Sequence, residues 1–89
     1  MVTILPVPEP GDYRTGTLSD LLTKQQISTV LGFKPNVKDD PSKVKASWGF
    51  TYNGERCAIW DYYGSRWSTF GPAHVFVALF GDKYRNSIY

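Results

Sequence analysis

The hydrophobic rhythm of the chain changes twice. In "TKQQISTVL", Ile27, Val30 and Leu31 fall on one helical face. Thr23 followed three residues later by Gln26 forms a capping box, and Leu22 just before it pairs with Ile27 as a hydrophobic staple. Gly32 is the natural stop, because glycine takes a positive φ cheaply. The spacing predicts a helix over Lys24–Leu31. From Lys45 the period drops to two. "KASWGFTY" and "ERCAIWDY" flank Asn53-Gly54, the strongest short-range hairpin signal, since a type I′ turn needs positive φ at both central residues. A second two-residue turn, at Tyr63-Gly64 or Gly64-Ser65, leads into "RWSTF". The helical rhythm then returns in "PAHVFVALF". Pro72 fits the first helical position, Gly81 the stop, and Val75, Phe76, Leu79 and Phe80 one face.

Before all this, Pro6, Pro8 and Pro10 alternate with other residues, which forbids a helix and favours an extended path. Residues 1–16 read as an extended N-terminal arm packing Ile4, Leu5 and Val7 onto a single domain, 17–89. "FKPNVKDDPSKVK" is the connecting loop, with Asp40-Pro41 suited to cap a short turn. The predicted fold class is α+β: a three-stranded antiparallel meander with two short helices on one face, in the order α-β-β-β-α, behind a proline-rich arm.

The turns fix the register, and register assigns faces. With Asn53-Gly54 as the loop, Tyr52 opposes Glu55, Phe50 opposes Cys57 and Trp48 opposes Ile59. Trp48, Phe50, Cys57 and Ile59 share one face, and two-residue geometry at the second turn adds Phe70 to it. This is the more apolar face, so the helices belong there. Ser47, Gly49, Thr51, Arg56, Ala58, Trp60, Tyr62, Ser65, Trp67 and Thr69 fall on the other. Gly49 is expected beneath the Trp60 ring, and Asp61 beside Arg66 as a structural ion pair. The outer face collects Trp, Tyr and Arg, the types enriched at binding hot spots. Cover by the arm or by a second copy of the chain would instead make it a second small core.

Composition narrows the function classes. The 89 residues are 42% hydrophobic, 20% charged and 16% aromatic, with a net charge of +2. This describes one small globular domain whose rings supply much of the buried area. The balance is mildly basic, without the dense stripe usual in a dedicated nucleic-acid binder; it permits an anionic partner but does not predict one. A lone cysteine, Cys57, rules out an internal disulfide and points to the reducing, cytoplasmic interior of a cell. The start lacks a basic signal-peptide region, and the longest apolar run, "VFVALF", is too short to span a bilayer.

Reactive chemistry is sparse. Cys57 and His74 are the only Cys–His combination, and the register turns Cys57 into the core. One His and one Cys do not make a zinc site. The paired aspartates lack the spacing of a calcium loop. Neither a phosphate-cradling loop nor a dinucleotide fingerprint is present. No cofactor, metal, membrane partner or enzymatic activity is expected.

Small size and ring-rich texture resemble those of phage accessory proteins. The expected function is a non-enzymatic binding protein that occludes a larger protein, such as a host or defence enzyme. Its partner-binding residues would be Arg56, Trp60, Tyr62, Trp67 and Thr51, with Lys43 and Lys45 as contacts to an anion. The alternative is single-stranded nucleic acid stacked on the same rings.

Overall fold

A computed structural model describes residues 2–38, 44–62 and 66–86, without the side chains of Lys45, Tyr62, Arg66 and Asn86. In chain order the elements are β1 (Ile4–Pro6), β2 (Gly16–Leu18), α1 (Lys24–Leu31), β3 (Val44–Tyr52), β4 (Glu55–Tyr62), β5 (Arg66–Phe70), α2 (Ala73–Phe80) and β6 (Tyr84–Asn86), with one 3-10 turn at Gly81–Lys83. They form a small α+β fold with a six-stranded antiparallel sheet in the order β1-β3-β4-β5-β2-β6.

The local signals act as their chemistry dictates. Thr23 Oγ1 accepts from the Gln26 amide at 3.1 Å, and Gln26 Oε1 accepts from the Thr23 amide at 2.9 Å, so α1 begins at Lys24. Asn53 (φ 49°) and Gly54 (φ 88°) close the first hairpin with both residues left-handed, and Tyr52–Glu55, Phe50–Cys57 and Trp48–Ile59 face one another.

The meander of three strands is too small a description. β3, β4 and β5 form the middle of the sheet, and the arm and the C-terminal segment widen it. β1 adds to β3 at one edge, where Pro6 can sit because an edge strand needs no N–H on its outer side. β2 adds to β5, and β6 adds to β2. Each of these three strands is three residues long, too short to show an alternation.

The second turn corrects the faces of β5. Tyr62 pairs with Arg66, so three residues rather than two separate the strands. A one-residue change of register turns every side chain over. Trp67 therefore opposes Asp61 and enters the core, while Phe70 opposes Ala58 on the outer face. Asp61 does not oppose Arg66, which pairs with Tyr62 instead.

Both helices cover the inner face. Ile27 and Leu31 of α1 and Val75, Phe76 and Phe80 of α2 pack with Trp48, Phe50, Cys57, Ile59, Trp67 and Tyr84. Trp48 and Trp67 lie 5.5 Å apart, and Phe76 stacks on Tyr84 at 5.3 Å. Both buried indoles are satisfied: Trp67 Nε1 donates to the Leu22 carbonyl at 2.8 Å, and Trp48 Nε1 to the Phe33 carbonyl at 3.2 Å. Val30, expected inward, is 39% exposed. Among the described residues no helix is long and apolar enough to cross a membrane.

Candidate functional site

The outer face of the sheet is covered by the arm. After β1 the chain leaves the edge and crosses β3, β4 and β5 as a strap, residues 7–15, before joining β2 on the far side. The Val7 amide donates to the Gly49 carbonyl at 2.9 Å at one end. At the other, Thr15 donates its amide to the Thr69 carbonyl at 2.7 Å and its hydroxyl to the Gly71 carbonyl at 3.0 Å.

Between these ends the strap rests on glycines. A Cβ at Gly49 would overlap the carbonyl oxygens of Val7 and Glu9. A Cβ at Gly11 would lie 2.8 Å from Cζ3 of Trp60, 2.9 Å from Cβ of Phe70 and 3.1 Å from Cβ of Ala58. Gly49 is thus seated under the strap, and the residue against the Trp60 ring is Gly11. Val7, Gly11 and Thr15, four residues apart, turn inward and are half-buried. Pro8, Glu9, Pro10, Asp12, Tyr13 and Arg14 remain exposed. The Glu9 amide bonds the Val7 carbonyl at 2.7 Å, a γ-turn about Pro8, so the prolines do not form one continuous polyproline ridge.

The residues proposed from sequence separate under this cover. Trp67 is 9% exposed and belongs to the core. Trp60 stays on the outer face, half-buried against Gly11, and Thr51 pairs across the strands with Leu5 and Arg56. Arg56 pins the strap: Nη1 pairs with the Glu9 carboxylate and Nη2 donates to the Pro10 carbonyl at 3.1 Å. Tyr62 and Lys45 are placed by backbone alone, on β4 and β3. Lys43 and the Asp40-Pro41 turn lie outside the described residues.

What remains open lies at the margin of the strap. Tyr13, Thr15, Glu55, Arg56, Phe70, Gly71 and Pro72 line an open slot of about 470 Å³. The Tyr13 ring meets Phe70 edge-on, 5.2 Å and 79° apart, yet Tyr13 is 65% exposed. Beside the slot, Glu55 Oε2 contacts His74 Nε2 at 2.9 Å. Two larger clefts, of about 590 Å³ between α1 and α2 and about 620 Å³ beside β2 and β6, contain no exposed aromatic ring. Tyr13 is not legible in the sequence because it lies in a segment without periodicity. The available signal was Gly49, since a glycine inside a central strand marks a close backbone approach.

Nucleophilic chemistry has no footing at Cys57. The thiol is fully buried, donates to the Glu55 carbonyl at 3.6 Å, and is pushed up to about 12 by burial, with the nearby Glu55 charge adding to the effect. His74 faces Glu55, not the thiol. Among the described residues no three His, Cys, Asp or Glu side chains gather as metal ligands would.

Comparison of the chain with protein-family models, with curated proteins and with solved structures finds no match.

Proposed function

We propose that the chain is a small non-enzymatic binding protein that acts by occluding a larger protein, as a phage-type accessory or inhibitor of a host or defence enzyme would. The binding surface is the strap and the slot at its margin rather than the sheet beneath. The observation that carries this reading is Tyr13, an exposed ring held edge-on to Phe70 beside Arg56. Tyrosine and arginine are characteristic hot-spot residues, and a ring already packed edge-on against Phe70 has less side-chain freedom to lose on binding. Occlusion needs anchors and shape but no catalytic groups. A single cysteine, which allows no disulfide within the chain, suits a reducing interior.

Single-stranded nucleic acid is the less favoured reading. Stacking needs a platform of successive rings. Trp67 is in the core and Trp60 is half-covered by the strap.

Two measurements test the proposal. Tagged wild-type protein and Tyr13→Ser are used to recover a partner from host lysate, with thermal melts as a control for folding. Tyr13 is exposed but packs edge-on against Phe70, so the variant should lose no more than about 1.5 kcal/mol and remain folded. Recovery should fall by about 30-fold, as for a hot-spot residue. Equal recovery removes the slot as the anchor. Tryptophan fluorescence is also titrated with oligonucleotides, and quenching that weakens steeply with salt would favour nucleic acid instead.

A further inference from the structure

We infer that the slot receives a long basic side chain, arginine above lysine, from the partner protein. The inference rests on the binding reading above and names the chemistry of the anchor. Two carboxylates and one guanidinium meet here. Arg56 is committed to the strap: Nη1 to Glu9, Nη2 to the Pro10 carbonyl, and Nε buried. Its charge is balanced by Glu9, so the acid lining the slot is Glu55, which shares one oxygen with the His74 imidazole. The Glu55 side chain is 45% exposed. His74 occupies one of its oxygens, Oε2. The walls are the rings of Tyr13 and Phe70 with Pro72. An apolar-walled slot with an acid at its rim suits a side chain with an aliphatic stem and a cationic head. Aromatic faces attract such a cation, and a planar guanidinium stacks on them better than an ammonium does. An acidic side chain would meet Glu55 as a like charge, a purely aliphatic one would leave Glu55 unused, and the Arg56 guanidinium that a cation would meet in the slot is already paired with Glu9.

The probe is N-acetyl-arginine methylamide, titrated into the full chain and followed by amide and side-chain NMR shifts. N-acetyl-norleucine methylamide and N-acetyl-glutamate methylamide serve as comparisons. The arginine compound should shift resonances of Tyr13, Glu55 and Phe70, and Glu55→Gln should weaken its binding about two- to five-fold, the range of an exposed ion pair. Absence of slot shifts, equal binding of the norleucine compound, or unchanged affinity in Glu55→Gln each overturns the inference. Partner recovery separates its failure from that of the binding reading. Loss with Tyr13→Ser but full retention with Glu55→Gln leaves the binder standing without the basic anchor. Retention with both variants removes the slot altogether.

Discussion

On the inner face of the sheet, Trp48, Phe50 and Ile59 meet the side chains of two helices. On the outer face, Gly49 and Ala58 meet the backbone of a strap. The inner contact is made by interlocking volumes, and its strength scales with the area and fit of each side chain. The outer contact is made by the absence of volume. The strap turns only Val7, Gly11 and Thr15 inward, and it sits close because Gly49 and Gly11 carry no Cβ. The two faces should therefore fail differently, the inner one by losing atoms and the outer one by gaining them.

The largest expected effect is on the inner face. Phe50 is fully buried and lies 6.4 Å from Phe76 and 6.5 Å from Phe33. Phe50→Ala should cost about 3–5 kcal/mol through lost transfer energy and a residual cavity. Net stability is on the order of 0.1 kcal/mol per residue, so this removes a large part of it. Chemical denaturation measures the loss. Labelling of the buried Cys57 thiol should accelerate with it, because the thiol is reached only by opening the core. A cost under about 1 kcal/mol would mean that the inner face is not the principal core.

Next comes Gly49→Ala, which adds one methyl group where the Val7 and Glu9 carbonyls already sit. Overpacking of this kind costs about 1–3 kcal/mol. The loss should be local. The strap lifts, trypsin cuts after Arg14, and Cys57 stays protected because the helices still close the inner face. If Cys57 becomes as reactive as in Phe50→Ala, the two faces are one cooperative unit and the contrast fails.

These two substitutions also show which parts of the fold were readable beforehand. α1, the first hairpin and the inward set Trp48, Phe50, Cys57 and Ile59 were legible because a capping box, an Asn-Gly turn and strict alternation all act within a few residues of one another. Trp67 was not, since its face depends on the parity of a loop, and a loop of three residues instead of two reverses it. β1, β2 and β6 were not legible either. Their stability comes from neighbours far along the chain, and three residues show no period. For the candidate site, Arg56 was identified by residue type and face, but its main contacts turned out to be Glu9 and Pro10 of the same chain. Tyr13 could be found only once the path of the strap was known.

A third, smaller effect probes the inner face by pH. The Cys57 thiol is raised from 9.0 to about 12, chiefly by burial, so between these values the unfolded chain gives up a proton that the folded chain keeps. The unfolded state then binds fewer protons, and stability must fall as pH rises. The slope reaches at most about 1.4 kcal/mol per pH unit. Tyr84, also raised by burial, adds to the fall at higher pH. Denaturation at pH 8, 9 and 10 should show a shallower decline in Cys57→Ala than in the wild type. Parallel declines would mean that the thiol is not the titrating group.

The smallest effect belongs to the ion pair that, among the described residues, crosses the outer face. Arg56 and Glu9 side chains are 36% and 61% exposed, so the pair is partly screened by solvent. Arg56→Met keeps the aliphatic stem over the sheet and removes the charge together with a buried, unpartnered Nε. The exposed pair contributes about 0.2–1 kcal/mol and the exposed bond to the Pro10 carbonyl a similar amount, and losing the unpartnered group offsets part of that. The variant should therefore change stability by under about 1 kcal/mol, with the difference shrinking further in 1 M salt as screening removes the pair in the wild type. Glu9→Gln should behave alike, and the double variant should show little more than either single one. The strap would then be held by its seating on Gly49 and Gly11 and by the strands on either side of it. A loss above about 2 kcal/mol in Arg56→Met, abolished by salt in the wild type, would make the ion pair the latch of the outer face and reduce the glycines to clearance.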